Sequence, residues 1–146
     1  MSGFTGRLAV SCLAACGALA ITASPAAASS KQDFDVCAYT CSSNSGFTYG
    51  TITWYNRTAG ITGSVWDNGY KDVPTVAYFE AYAGSVKIDS ETRTANTDTD
   101  LGAVRGFNFT IGDTNLVGGI DRIKITACEV YSATQRLCSA SVNYNK

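Results

Sequence analysis

Histidine is absent from this chain of 146 residues, which also holds only 2 prolines and 1 methionine, with charged residues at 16%. Without histidine there is no Ser/His/Asp triad, no Cys/His dyad and no His-ligated zinc site. Lys+Arg number 11 against 12 Asp+Glu, a net charge of -1. No cationic field for phosphate arises, which excludes nucleic acid as a partner. No apolar run reaches the about 20 residues that a membrane-spanning helix needs, so no membrane contact is expected. What is present is a chain at 45% hydrophobic residues, too apolar for disorder. Its length is that of one domain, or of one domain and a processed segment.

Residues 1–28 read as a secretory signal peptide. Arg7 gives the positive start, Leu8 to Ile21 the apolar stretch, Ser24-Pro25 the helix break and Ala26-Ala27-Ala28 the small-residue cleavage site. Leu13-Ala14-Ala15-Cys16 also matches a lipoprotein box, but the apolar run continues through Ile21, where a lipoprotein turns polar. The ordinary secreted, extracellular form is therefore expected. Removing the signal takes Cys12, Cys16 and Arg7 with it and leaves Cys37, Cys41, Cys128 and Cys138. An even count in an exported chain points to two disulfides. Of the three possible pairings, the local one, Cys37–Cys41 with Cys128–Cys138, is preferred. The long-range alternatives would tie the ends of the domain together and close longer loops. Cys-x3-Cys with no second ligand pair is not a metal site.

The rest of the chain alternates apolar and polar residues at period two, and no stretch holds helical spacing. The strands read are Thr48–Tyr55, Ile61–Trp66, Thr75–Ala83, Ser85–Asp89, Phe107–Ile111, Ile120–Val130 and a last hairpin over Arg136–Tyr144. Asn56 to Gly60 and Asp67-Asn68-Gly69 are turns. About seven or eight short strands at this spacing predict an all-β fold, a small disulfide-bonded β-sandwich. The domain is expected over residues 47–146. Cys128 breaks parity with Ile123 and Ile125, which predicts a bulge or a disulfide on the opposite face. Residues 29–46 are polar, with Phe34, Val36, Cys37 and Tyr39 interspersed, and read as an extended N-terminal arm. Residues 90–102 read as a polar, turn-rich connection.

Each candidate site has a plainer explanation beside it. Asn96 to Gly102 spaces oxygens as calcium loops do, but Leu101 and Phe107 stand where an EF-hand needs Gly and Glu; a solvated loop explains it better. Glu80, Asp89, Glu91 and Glu129 are the acids on or near strands, yet nothing pairs them for glycoside chemistry. No catalytic residue, metal site or cofactor is expected. Arg57, Arg93, Arg105, Arg122 and Lys124 are scattered, as on a solvated sheet face. Trp54, Tyr55, Trp66 and Tyr70 surround one hairpin. Trp54 shares a face with Ile52 and suits the core, whereas Tyr55, Trp66 and Tyr70 form a candidate surface aromatic patch for a sugar ring or a protein. In the arm, Phe34, Val36 and Tyr39 are candidate partner-binding residues for strand addition, where main-chain bonds give affinity and spaced side chains fill pockets. A simple first edge strand is the plainer reading.

Tyr55-Asn56-Arg57-Thr58-Ala59, Ile61-Thr62-Gly63-Ser64-Val65, Phe79-Glu80-Ala81-Tyr82-Ala83-Gly84 and Leu116-Val117-Gly118-Gly119-Ile120-Asp121-Arg122 resemble segments of small secreted streptomycete β-domain proteins. The Ala-rich signal is similar to those of high-GC Gram-positive bacteria. The layout also resembles that of the adaptor subunit of streptomycete umbrella toxin particles. That resemblance implies a non-enzymatic adaptor with an N-terminal strap, here residues 29–46, joining a larger toxin subunit to a lectin-bearing one. Its partners would be other secreted proteins of an extracellular antibacterial toxin complex. A carbohydrate- or cell-wall-binding module and a secreted protease inhibitor are the competing classes. The first rests on Trp66 and Tyr70. The second fits the chain's size and its two disulfides.

Overall fold

Strictly alternating segments such as Thr75–Ala83 bury every second residue (Thr75, Ala77, Phe79 and Ala81) and so commit one face of a strand to a core. The computed structural model describes residues 29–41, 45–68, 73–96 and 102–146. The signal segment 1–28, Tyr70 and most of the oxygen-rich loop at 96–102 lie outside the described residues. The strands are β1 (Ser30–Cys37), β2 (Phe47–Trp54), β3 (Thr58–Asp67), β4 (Thr75–Ala83), β5 (Val86–Ala95), β6 (Ala103–Gly112), β7 (Arg122–Val130), β8 (Arg136–Cys138) and β9 (Val142–Asn145). The first sheet has the order β1-β2-β3-β6; the second has β5-β4-β7, with β8 and β9 both pairing β7. All pairings are antiparallel. The chain crosses between sheets after β3, β5 and β6, and the result is the expected all-β, disulfide-bonded sandwich.

The two sheets bury a common core in which Phe79 of β4 is central. Its ring meets those of Phe34, Phe107 and Phe109 edge-on, at centroid distances of 6.0, 5.3 and 5.2 Å. This is the arrangement that aromatic quadrupoles favour. Ile52, Trp54, Ile61, Val65, Ile111, Ile123 and Ile125 fill the rest. Gly50 and Gly63 face each other across β2 and β3, and a Cβ on Gly63 would lie 2.1 Å from the Tyr49 carbonyl oxygen. No larger residue fits there without parting the strands.

Several elements differ from what the sequence predicts. Residues 30–37 are not part of a free arm: β1 is the edge strand of the first sheet, in register with β2 from Ser30↔Trp54 to Cys37↔Phe47. Phe34 and Val36 are 4% and 3% exposed and belong to the core. They are therefore unavailable to a partner in this fold. The segment looked like an arm because an edge strand keeps its outer face wet, and that face here carries Lys31, Asp33 and Asp35. Strand β5 runs to Ala95 rather than stopping at Asp89. Its Glu91 and Arg93 occupy positions of the inward parity, which Arg93 makes tolerable by lying over the Phe109 ring at 4.1 Å and pairing with Glu91 at 2.7 Å. The last hairpin is split into β8 and β9.

The disulfides are local, Cys37–Cys41 and Cys128–Cys138. Cys128 stands opposite Val76 with no slip in the β4–β7 register. Its broken parity therefore places the disulfide on the face opposite Ile123 and Ile125, where Cys128 meets Cys138 of β8 directly across the ladder.

Candidate binding surface

With Phe34 and Val36 turned inward on β1, Asp33, Asp35 and Cys37 must face out. The same parity turns Phe47, Tyr49 and Thr51 of β2, Thr62, Ser64 and Trp66 of β3, and Val104, Gly106 and Asn108 of β6 to the outer face of the first sheet. Register then stacks them in rows across all four strands. One row is Cys37–Phe47–Trp66–Val104, the next Asp35–Tyr49–Ser64–Gly106, the next Asp33–Thr51–Thr62–Asn108. The face grades from apolar at the Cys37–Cys41 end to polar beyond it. In the polar row Thr51 Oγ1 donates to Asp33 Oδ1 at 2.7 Å, and Thr62 Oγ1 donates to Asn108 Oδ1 at 3.2 Å.

The apolar end is held by contacts among its own rings. Phe47 lies 4.9 Å from Trp66 and 5.6 Å from Tyr49 between centroids, tilted by 46° and 36°. Tyr49 is 42% exposed and Val104 61%. Beside this cluster the Cys37–Cys41 loop carries Tyr39, 53% exposed and in the left-handed region with φ 50°.

The surface patch expected from Tyr55, Trp66 and Tyr70 is not assembled in that form. Tyr55 is exposed but lies against Gly60, at the far end of β3 from Trp66. At about 3.3 Å per residue the two positions are about 20 Å apart along the strand. Lys146 Nζ donates to the Tyr55 and Asn56 carbonyl oxygens at 2.7 and 2.8 Å, which ties that corner to the C-terminal strand. Tyr70 lies outside the described residues. Trp66 gathers instead with Phe47 and Tyr49, which the sequence reading did not single out as a site. The signal was present: Phe47 and Tyr49 alternate on one face, but only the β2–β3 register shows that Trp66 stands opposite Phe47. Of the three candidate partner-binding residues Phe34, Val36 and Tyr39, only Tyr39 is accessible.

The outer face of the second sheet is a charge lattice. Glu80 pairs with Lys87 at 3.1 Å and with Lys124, and Tyr82 Oη donates to it at 3.2 Å. Arg122 and Lys124 lie over the Tyr82 ring at 4.4 and 5.4 Å. A cleft of ≈ 330 Å³ opens here, lined by Tyr78, Glu80, Lys87, Glu91 and Arg136 among others. Burial alone would raise the Glu80 carboxyl, but the hydrogen bonds from Lys124 and Lys87, the Lys124 charge and Tyr82 outweigh it and hold it below its ordinary value of 4.5. The hydrogen bond to Glu80, then that to Tyr82, raises Lys124. A carboxyl lowered in this way contributes stability that is complete above the ordinary glutamate range and lost as pH falls through its folded value. Melting temperature followed from pH 7 downward should therefore drop below about pH 4.5, and Glu80→Gln should flatten part of that drop. Identical acid profiles for the two proteins would refute the assignment.

Among the described residues no three potential ligands gather to hold a metal. Among the described residues there is no helix long and apolar enough to cross a membrane. The two disulfides accord with an extracellular protein. Fold and surface together define a small disulfide-bonded β-sandwich with one aromatic face and one charged face. Comparison with models of protein families, with curated proteins and with solved structures gave no match.

Proposed function

We propose that the protein is secreted and acts as a non-enzymatic adaptor that binds other secreted proteins through the apolar end of its first sheet. The observation that carries this reading is the half-exposed cluster of Phe47, Tyr49 and Trp66 in register with Val104. Trp and Tyr at the centre of such a patch are the residues on which protein interfaces concentrate their binding energy. The rings pack against one another at marked tilts to form one apolar knob rather than a flat platform for stacked sugars, which favours a protein over a glycan. On the opposite face Lys124 and Lys87 hold the Glu80 carboxyl below its ordinary value, which does not suit it to the role of general acid. The two outer faces differ in chemistry and lie on opposite sides of the sandwich, which leaves room for two partners at once. The finer form of the proposal, a link between subunits of an antibacterial toxin complex, is supported by the resemblances in sequence given above.

The test is native mass spectrometry of the tagged protein recovered from the medium of its producing organism, with Trp66→Ala in parallel. The expected result is a stoichiometric complex with a larger secreted protein, weakened at least about thirtyfold by Trp66→Ala, as for a hot-spot residue. Recovery of a free monomer that is retained on cell-wall polysaccharide would move the assignment to a glycan-binding module. A complex indifferent to Trp66→Ala would remove this face from the interface.

A further inference from the structure

Beside the aromatic knob, the β1–β2 hairpin forms a shallow cleft of ≈ 580 Å³ lined by Asp33, Asp35, Phe47, Tyr49 and Thr51 with parts of Phe34 and Gly50. Asp35 stands opposite Tyr49 and Asp33 opposite Thr51, so both carboxylates line the same cleft as the exposed Tyr49, on the same face of the sheet. The hydrogen bond from Thr51 takes up Asp33 Oδ1. Among the described residues neither Asp33 nor Asp35 has an ion-pair partner, and no cation lies over Tyr49.

Elsewhere this molecule completes the same combination from within. Tyr82 beside Glu80 has Arg122 and Lys124 over its ring, and Phe109 has Arg93, itself paired with Glu91. On the first sheet the aromatic ring and the carboxylates are present and the cation is missing. We infer that the partner supplies it: an arginine side chain of the bound protein lies on Tyr49 with its guanidinium between Asp33 and Asp35. Arginine fits better than lysine because its planar group stacks on a ring while its edge donors reach carboxylates on either side. The apolar cluster would then give affinity, and the acidic cleft would select a cationic segment and steer its approach. This inference rests on the protein-binding reading of the first sheet and names the chemistry of the partner.

The experiment is an NMR titration of the 15N-labelled protein with Nα-acetyl-arginine amide, and separately with its neutral isostere Nα-acetyl-citrulline amide. Arginine amide should shift the backbone amides around Asp35 and Tyr49 in a saturable manner. Citrulline amide should bind at least about tenfold more weakly, the difference expected for losing a cation–π contact and exposed ion pairs together. Asp33→Asn/Asp35→Asn should abolish the arginine response with little change in melting temperature, and added salt should weaken it. Equal responses to the two probes, or none at these amides, would overturn the inference. Trp66 does not line the cleft, so Trp66→Ala should leave the arginine response intact while it breaks the partner complex. A complex lost in Trp66→Ala with no arginine response leaves the protein-binding reading standing without this inference. An arginine response with a complex indifferent to Trp66→Ala takes the aromatic knob out of the interface and overturns the inference in its stated form, since the arginine site would then not be one that the partner fills.

Discussion

Replacing Phe34 by alanine should lower the stability of the folded protein by about 3–5 kcal/mol. The side chain is 4% exposed and meets the rings of Phe79 and Tyr144 at 6.0 and 6.3 Å. Strand β1 has a single ladder partner, β2, so its attachment depends on what Phe34 and Val36 bury beneath it. Removing the ring leaves a void between the sheets that neighbours from both must collapse to fill. Against the roughly 5–15 kcal/mol that a domain of this kind has in total, the loss is large enough to leave the variant partly unfolded at body temperature. Urea denaturation measures it directly, with Lys31→Ala on the wet face of the same strand as control, expected within about 0.5 kcal/mol of the parent. The experiment also separates two descriptions of the N-terminal segment. A free arm would tolerate the loss of Phe34, whereas a core strand cannot. Deleting residues 29–36 should for the same reason cost the fold itself, and loss of binding in that truncation would say nothing about a strap.

The second large effect belongs to the Cys128–Cys138 bridge. Strand β8 has only three residues and pairs with β7 alone, so the covalent bond is what keeps it docked. Loop-closure entropy for a loop of this length assigns the bridge about 3 kcal/mol. The double variant Cys128→Ala/Cys138→Ala should lose that much in denaturant titrations and show raised amide exchange over Arg136–Cys138. Opening Cys37–Cys41 in the same way should cost less, about 2 kcal/mol, because the sequence separation is 4 rather than 10. A reversed order of the two would show that native contacts rather than loop closure set the effect.

These elements also show which parts of the structure were legible in the sequence. Strands with one buried face, such as β4 with Ala77, Phe79 and Ala81 inward, state their conformation through alternation alone. Strands β1 and the second half of β5 do not, because both lie at sheet edges. In β1 only Phe34 and Val36 meet the core, and in β5 Arg93 lies against Phe109 where an apolar side chain would have announced the strand. The disulfide pairing was readable because each pair closes within a local turn or hairpin. The aromatic surface was half readable: Trp66 was singled out, but the company it keeps is set by register between strands. That register follows from turn geometry and core packing, neither of which leaves a mark on the residues facing out. The acidic cleft requires both Phe34 turning inward and Asp35 standing opposite Tyr49, and neither the polar composition of residues 29–46 nor their spacing announces that pairing.

The topology carries a consequence for how the chain reaches this state. The ladders that join distant segments are β3 with β6 and β4 with β7, in which Thr58 pairs with Gly112 and Thr75 with Glu129. Neither can form until most of the chain is available, and non-local pairing of this kind places folding in the millisecond-to-second range. Both cross-links, by contrast, join cysteines 4 and 10 residues apart. They can close in a chain that has not yet found its sheets, and closing them commits it to no wrong long-range pairing. Oxidation therefore need not wait for the long-range ladders, and because Cys128 is buried once they have formed, an early bridge closes before the fold covers it.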